Sequence, residues 1–112
     1  MKKIEAIVRS EKVSEIRRAL EKINYTGLTL TQVDGHGNQK GTIQKWKGIE
    51  HKITIIPKIK IEIVVDGGDV KNVIEAISCA ARTGEVGDGK IFVYTIDEVI
   101  RIRTGQYGTC AL

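Results

Sequence analysis

One segment of this 112-residue chain recurs 57 residues later, and the repeat restricts the fold more than any other feature. Lys3-Ile4-Glu5-Ala6-Ile7-Val8 resembles Lys60-Ile61-Glu62-Ile63-Val64-Val65. The same offset pairs Val13 with Val70, Ile16 with Val73, Ala19 with Ala76, Leu20 with Ile77, and Thr26-Gly27 with Thr83-Gly84. One supersecondary unit is therefore used twice. In the first copy, Lys3 to Arg9 reads as a strand, and Val13, Ile16, Leu20 and Ile23 form one helical stripe. Leu28 to Val33 then alternates apolar and polar, as a half-buried strand does. In the second copy, Lys58 to Val64 alternates, and Val70, Val73, Ile74 and Ile77 make the stripe. Ile91 to Ile96 is the following strand, and Ile100-Arg101-Ile102-Arg103 is predicted as a short final one.

Two strand–helix–strand units in a single domain spanning residues 1–112 predict an α+β fold. The expected architecture is a ferredoxin-like βαββαβ sandwich, with both helices on one face of a four-stranded antiparallel sheet. The other face then carries Lys58, Lys60 and Glu62. Such a face is tolerable in water when charged, and it can equally be covered by neighbouring subunits.

Composition enters at the level of charge. The chain has 18 Lys+Arg against 14 Asp+Glu, a net +4, which is a weak hint of an anionic partner. Residues 1–36 carry seven basic and five acidic side chains, residues 37–56 four and one, and the remainder seven and eight. Most of the excess thus lies in a 20-residue stretch that joins two strands. Loops longer than about 12–15 residues are usually functional or disordered. This one opens with Gly35-His36-Gly37-Asn38-Gln39-Lys40-Gly41 and holds the only Trp, Trp46, among lysines. A mobile recognition loop is expected, with a solvated hairpin extension as the plainer reading. A run of about 20 apolar residues, as a membrane span requires, is absent. Two cysteines make neither a disulfide scaffold nor a zinc site, so a reducing cytoplasm is expected. Cys79 is read as packed in the second helix, and His36 and His51 lack metal-ligand partners.

Thr83-Gly84-Glu85-Val86-Gly87-Asp88-Gly89-Lys90 is the strongest local signal. Gly84-x-x-x-x-Gly89-Lys90 fits a Walker loop, but Ile91 replaces the magnesium-binding hydroxyl and a strand follows instead of a helix. Successive glycine N–H groups still suit an anion nest with Lys90 as counter-charge, and a tight helix-to-strand connection is the alternative. Arg101 and Arg103 would share one face of the final strand. With Lys58 and Lys90 they offer four cations for a polyanion such as a nucleotide triphosphate. No nucleophile–base arrangement is evident, so catalysis is not expected.

The residues resemble the PII nitrogen-regulatory signal-transduction family along essentially the whole chain. The most specific match is Thr83-x-x-x-Gly87-Asp88-Gly89-Lys90-Ile91-Phe92-Val93. Gly35-x-Gly37-x-Gln39-Lys40-Gly41, Pro57-Lys58-Ile59-Lys60-Ile61-Glu62 and Arg101-Ile102-Arg103-Thr104-Gly105 also match. The resemblance implies a non-enzymatic homotrimer, any ATP hydrolysis being incidental, with ATP/ADP sites in clefts between subunits. Residues 37–56 become the T-loop, 82–90 the B-loop, and 102–112 the C-terminal loop and tail. Thr29, Gly35, Glu62 and Val64 would surround adenine or ribose, Gly87, Asp88, Gly89 and Lys90 would cradle phosphates, and Gly37, Asn38 and Gln39 would also bind the nucleotide. Arg101 and Arg103 would reach over from the neighbouring chain. Gln39 would ligate a magnesium ion shared by ATP and 2-oxoglutarate, whose carboxylates Lys58 and the Gln39, Lys40 and Gly41 backbone would hold.

Implied partners are an ammonium transporter or a nitrogen-assimilation enzyme (glutamine synthetase, nitrogenase), with no nucleic acid and no direct membrane insertion. The protein would be cytoplasmic and recruited to the inner membrane face by a transporter. Trp46 and Lys47 would dock the partner, Lys47 standing where many relatives carry an arginine. His51 replaces the family's modified tyrosine, which removes uridylylation. Asn38 replaces a phosphate-contacting arginine, so altered ATP/ADP discrimination is expected. An RNA-binding domain of the same topology and a small phosphoryl- or acyl-transfer enzyme are the alternatives. The former would need exposed aromatics on central strands, and the chain has only five aromatic residues.

Overall fold

The computed structural model describes the backbone of residues 1–36, 44–46, 49–51 and 55–112, and side chains outside 37–54. Strands are β1 (Lys2–Arg9), β2 (Thr29–His36), β3 (Gln44–Trp46), β4 (Ile49–His51), β5 (Ile55–Val65) and β6 (Lys90–Thr95); helices are α1 (Val13–Glu21) and α2 (Val70–Ala81). β2, β5, β1 and β6 lie in that order in one antiparallel sheet, while β3 and β4 form a separate two-stranded ladder. This is the expected ferredoxin-like arrangement, with the second repeat's first strand inserted beside the first repeat's.

The repeat persists in detail at the helix entrances. A short 3-10 turn, Ser10–Lys12, precedes α1, and its counterpart Gly67–Asp69 precedes α2 at the same 57-residue offset. α1 places Glu15 in its first turn and Arg18 in its last, which complements the helix dipole. Its end is closed by Asn24, left-handed at φ 67°, while the Tyr25 N–H returns to the Leu20 carbonyl at 2.9 Å. The Tyr25 hydroxyl then donates to Asp69, stitching the end of α1 to the start of α2.

The side-chain period of two sorts the sheet into opposite faces. Ile4, Ala6 and Val8 of β1 and Ile61, Ile63 and Val65 of β5 are buried against Ile16 and Leu20 of α1 and Val73, Ile77 and Ala81 of α2. Each large side chain so buried contributes roughly 1.5–3 kcal/mol relative to exposure. The opposite face is charged and paired across strands. Lys3 meets Glu62 at 2.6 Å, Lys60 sits between Glu5 and Glu62 at 4.0 and 3.9 Å, and the Tyr94 hydroxyl donates to Glu5 at 3.1 Å. The Lys3 ammonium also lies 5.5 Å from the centroid of the Tyr94 ring.

Two expectations are corrected. Residues 100–103 are not a strand: only Ile100 bridges, to Tyr107, and the chain turns back as the Gly105 N–H bonds the Arg101 carbonyl at 2.7 Å. Gly105 at φ +71° makes that reversal possible and overrides the Ile-Arg-Ile-Arg alternation. Ile102 is left fully exposed at its tip. Cys79 is exposed and not packed, because the inward stripe of α2 passes through Val73, Ile77 and Ala81, away from position 79. No helix among the described residues is long and apolar enough to cross a membrane.

Candidate functional site

The chain between α2 and β6 folds over one end of the charged sheet face. Its architect is Asp88. The carboxylate accepts the Thr83 and Gly84 N–H groups at 2.9 Å each, the Thr83 hydroxyl, and Arg9 Nε at 3.2 Å. The hydroxyl bond from Thr83, reinforced by the two backbone N–H groups, holds the Asp88 carboxyl well below the usual carboxylate range, so it stays ionised. The loop thereby neutralises its own acid, and Lys90 stands exposed beside it.

Gly89 shows why the loop requires its glycine pattern. Its φ is +92°, and a β-carbon there would come within 1.7 Å of the Ile7 carbonyl oxygen. The loop rests directly on the β1 backbone. Lys58 lies beneath, only 7% exposed, and its ammonium donates to the Gly87 carbonyl. Burial, with Arg9 nearby, pushes the Lys58 pKa down. Across the sheet, a β-carbon at Gly35 would stand 2.9 Å from Lys58 Cγ, so glycine on β2 leaves room for the lysine stem.

These parts enclose an open cleft of about 520 Å³. Ile7, Ile56, Val86 and Phe92 supply apolar wall, and Gly35, His36, Lys58 and the loop from Glu85 to Lys90 supply the rest. An apolar wall beside two lysines and glycine-rich backbone suits a ligand with a flat apolar part and an anionic part.

Of the expected site residues, the fold unites Gly35, Lys58, Gly87, Asp88, Gly89 and Lys90 around this cleft. Thr29, Glu62 and Val64 lie on the same sheet face but outside it, with Thr29 opposite Glu62 in the β2–β5 register. Glu62 is four residues from Lys58, about 13 Å along the strand. Arg101 and Arg103 do not line the cleft within one chain. Arg101 donates to Gln106 Oε1 at 3.3 Å and to the Leu112 carbonyl at 3.0 Å, bracing the C-terminal turn. Gly37, Asn38, Gln39, Lys40, Gly41 and Lys47, and the side chains of Trp46 and His51, lie outside the described residues.

Ile7, Ile56, Val86 and Arg9 were not legible as site residues. The first three read as ordinary strand or loop apolars, and the partners of Arg9 lie 77 and 79 residues away.

The family model described as "Nitrogen regulatory protein P-II" matches residues 1–106. The chain is 49% identical, over the full length of both, to the nitrogen regulatory protein P-II of Rhodospirillum rubrum. It is 48% identical to nitrogen regulatory protein P-II 2 of Methanothermobacter thermautotrophicus, covering all of this chain and 97% of the relative. It is 47% identical to the nitrogen regulatory protein P-II of Synechocystis over the full length of both. The chain belongs to the nitrogen regulatory protein P-II family, a family of regulatory signal proteins.

Proposed function

We propose that the protein is a cytoplasmic homotrimeric sensor that binds ATP or ADP in the cleft beneath the loop of residues 82–90. It would sense 2-oxoglutarate beside the same site and control a target protein through residues 37–56. The observation that carries this reading is the meeting of buried Lys58, exposed Lys90 and the Gly87–Gly89 backbone at one cleft with an apolar wall. Phosphates would lie against the loop, and Lys90 would supply the counter-charge. Thr29, Glu62 and Val64 on the charged face, with Arg101 and Arg103 from a neighbouring subunit, would complete the site when three chains assemble.

Lys58 would hold a 2-oxoglutarate carboxylate, joined by the backbone of Gln39, Lys40 and Gly41. Gln39 would hold the magnesium ion that accompanies ATP. Its amide oxygen is a suitable hard ligand. The signal is a population shift: ligands select a conformer of residues 37–56, and linkage requires a bound target to alter ligand affinity in return. An ammonium transporter at the inner membrane face or a nitrogen-assimilation enzyme is the proposed target, gripped by Trp46 and Lys47.

The RNA-binding alternative is disfavoured by the sheet itself. Its exposed aromatics, Phe92 and Tyr94, lie on edge strand β6, while the central strands show Lys3, Glu5, Lys60 and Glu62 on the open face. A stacking platform needs aromatics there.

Calorimetric titration with ATP–magnesium, with and without 2-oxoglutarate, tests the reading. Nucleotide binding that 2-oxoglutarate tightens is expected, and absence of nucleotide binding overturns it.

A further inference from the structure

The two copies of the repeat part company where their helices end. α1 stops at Glu21, and the chain folds back so that Ile23 and Tyr25 pack against the core. Tyr25 is anchored there by its N–H on the Leu20 carbonyl and its hydroxyl on Asp69. Ser78 is the counterpart of Glu21 at the 57-residue offset, yet α2 continues to Ala81. Arg82 then takes the place of Tyr25 in the repeat, and it is exposed. The second copy thus has no ring at the position where the first closes its helix end. A cavity of about 310 Å³ opens there, between the last turns of α2, the end of β1 and the start of β6.

Val8, Ile74, Ile77, Ala81 and Ile91 give this cavity an apolar lining, which half-buried Ser78 and exposed Arg82 complete. Its volume lies at the small end of the range for ligand sites, about 300–1,000 Å³. Arg82 makes no ion pair among the described residues. The Asp88 carboxylate also borders the cavity, but Arg9 and the Thr83 and Gly84 N–H groups take it up. The C-terminal end of α2 brings about half a negative charge, which the whole charge of Arg82 exceeds. We propose that this cavity is a second ligand site, taking a small aromatic or branched carboxylate with its apolar body on the lining and its carboxylate toward Arg82. The site stands apart from the nucleotide reading, because it lies on the helix-covered face of the sheet and the larger cleft on the charged face. Asp88, Gly89 and Lys90 border both spaces, so an occupant also steadies that stretch of the loop.

The test is an NMR titration of the full chain with phenylacetate, its neutral twin phenylacetamide, and acetate, which lacks the apolar body. The parent is compared with Ser78→Leu, which fills the cavity from α2, and with Arg82→Gln. Lys71→Gln removes an equal charge from an exposed position near the other end of the same helix. Phenylacetate is expected to shift the Ile74, Ile77 and Ile91 methyl resonances saturably, with a dissociation constant on the order of 1 mM for so small a ligand. It should also slow hydrogen exchange of the amides of residues 88–90. Phenylacetamide and Arg82→Gln should each weaken binding about threefold, the scale of one exposed ion pair. Acetate and Ser78→Leu should abolish saturable shifts, and Lys71→Gln should match the parent.

Absence of saturable shifts at Ile74, Ile77 and Ile91 in the parent overturns the proposal, as do shifts confined to Ile56 and Phe92, which belong to the larger cleft. Equal affinity for phenylacetate and phenylacetamide overturns it too, as does equal weakening by Arg82→Gln and Lys71→Gln. A folded Ser78→Leu protein that binds phenylacetate like the parent has the same force. Should Ser78→Leu fail to fold, the phenylacetamide comparison and the Arg82→Gln and Lys71→Gln pair decide the matter. Failure of nucleotide binding leaves this site standing, and failure of phenylacetate binding leaves the nucleotide reading standing.

Discussion

Gly89 and Ile7 are packed so closely that a single β-carbon on Gly89 would lie 1.7 Å from the Ile7 carbonyl oxygen. The loop over the cleft is thus seated on the β1 backbone, with no side chain between them. Gly89→Ala has to displace backbone and occupy φ +92°, a conformation that costs an L-residue about 1–3 kcal/mol. The variant is expected to unfold at lower temperature by calorimetry and to lose nucleotide binding by titration. A Gly89→Ala protein with parental affinity would remove the loop from the site.

Lys90 offers the opposite separation. It is exposed, so Lys90→Ala should change unfolding stability by less than about 0.5 kcal/mol. Nucleotide affinity should fall by roughly 1.5–3 kcal/mol if the ammonium makes a charge-assisted bond to phosphate. Chemical denaturation and calorimetric titration on one preparation measure both.

The pH dependence of the loop follows from Asp88. Its folded pKa is depressed below the ordinary 3.8, chiefly by the Thr83 hydroxyl and then the Thr83 and Gly84 N–H groups. A depressed carboxylate stabilises above its unfolded pKa, and that contribution is lost as pH falls through the folded value. The Thr83 and Gly84 amide resonances should therefore stay native-like down to about pH 4 and move only below it. Asp88→Asn should show disturbed Thr83 and Gly84 resonances at neutral pH.

Tyr25 gives an alkaline counterpart. Burial and its bond to Asp69 push the phenol up to about 12 from 10.0. A group with a raised folded pKa contributes below its unfolded value and loses that contribution as pH climbs through the folded one. The parent should lose stability between about pH 10 and 12, and Tyr25→Phe should lose less over that window. At neutral pH, Tyr25→Phe should cost about 1 kcal/mol, the net worth of one hydrogen bond. Urea unfolding of both proteins across that range checks it.

Asn38, where the resemblance implies an arginine that contacts phosphate, gives a prediction about selectivity. Asn38→Arg should change the ratio of ATP to ADP affinity, because a guanidinium supplies a phosphate-matching fork that the amide lacks. Equal ratios in variant and parent would show that position 38 does not discriminate the nucleotides.

Most of the fold was legible because its signals are local. The 57-residue repeat, the helical stripes from Val13 and Val70, and the alternation through Lys58 to Val64 each reflect a side-chain period, which neighbours in sequence suffice to show. The same reasoning misread residues 100–103, where alternation was present but Gly105 reversed the chain before a partner strand could pair. The glycine loop was legible as a candidate anion site, and Gly35, Lys58 and Lys90 do meet around it. Arg9 was not: nothing near it in sequence distinguishes it from any basic residue ending a strand.

By itself, the sequence determined the strands and helices of the two repeats, the buried stripe of each helix and the strand face that carries charge. These follow from periodicities of 2 and 3.6 residues, set by bond geometry and solvent. Only the tertiary structure decided that Arg9 holds Val86 and Asp88, that Lys58 is buried under Gly87, and that Gly89 sits on Ile7. Those contacts join residues 29 to 82 positions apart in the chain, and no local pattern encodes a distance that appears only when the sheet and helices close around one core.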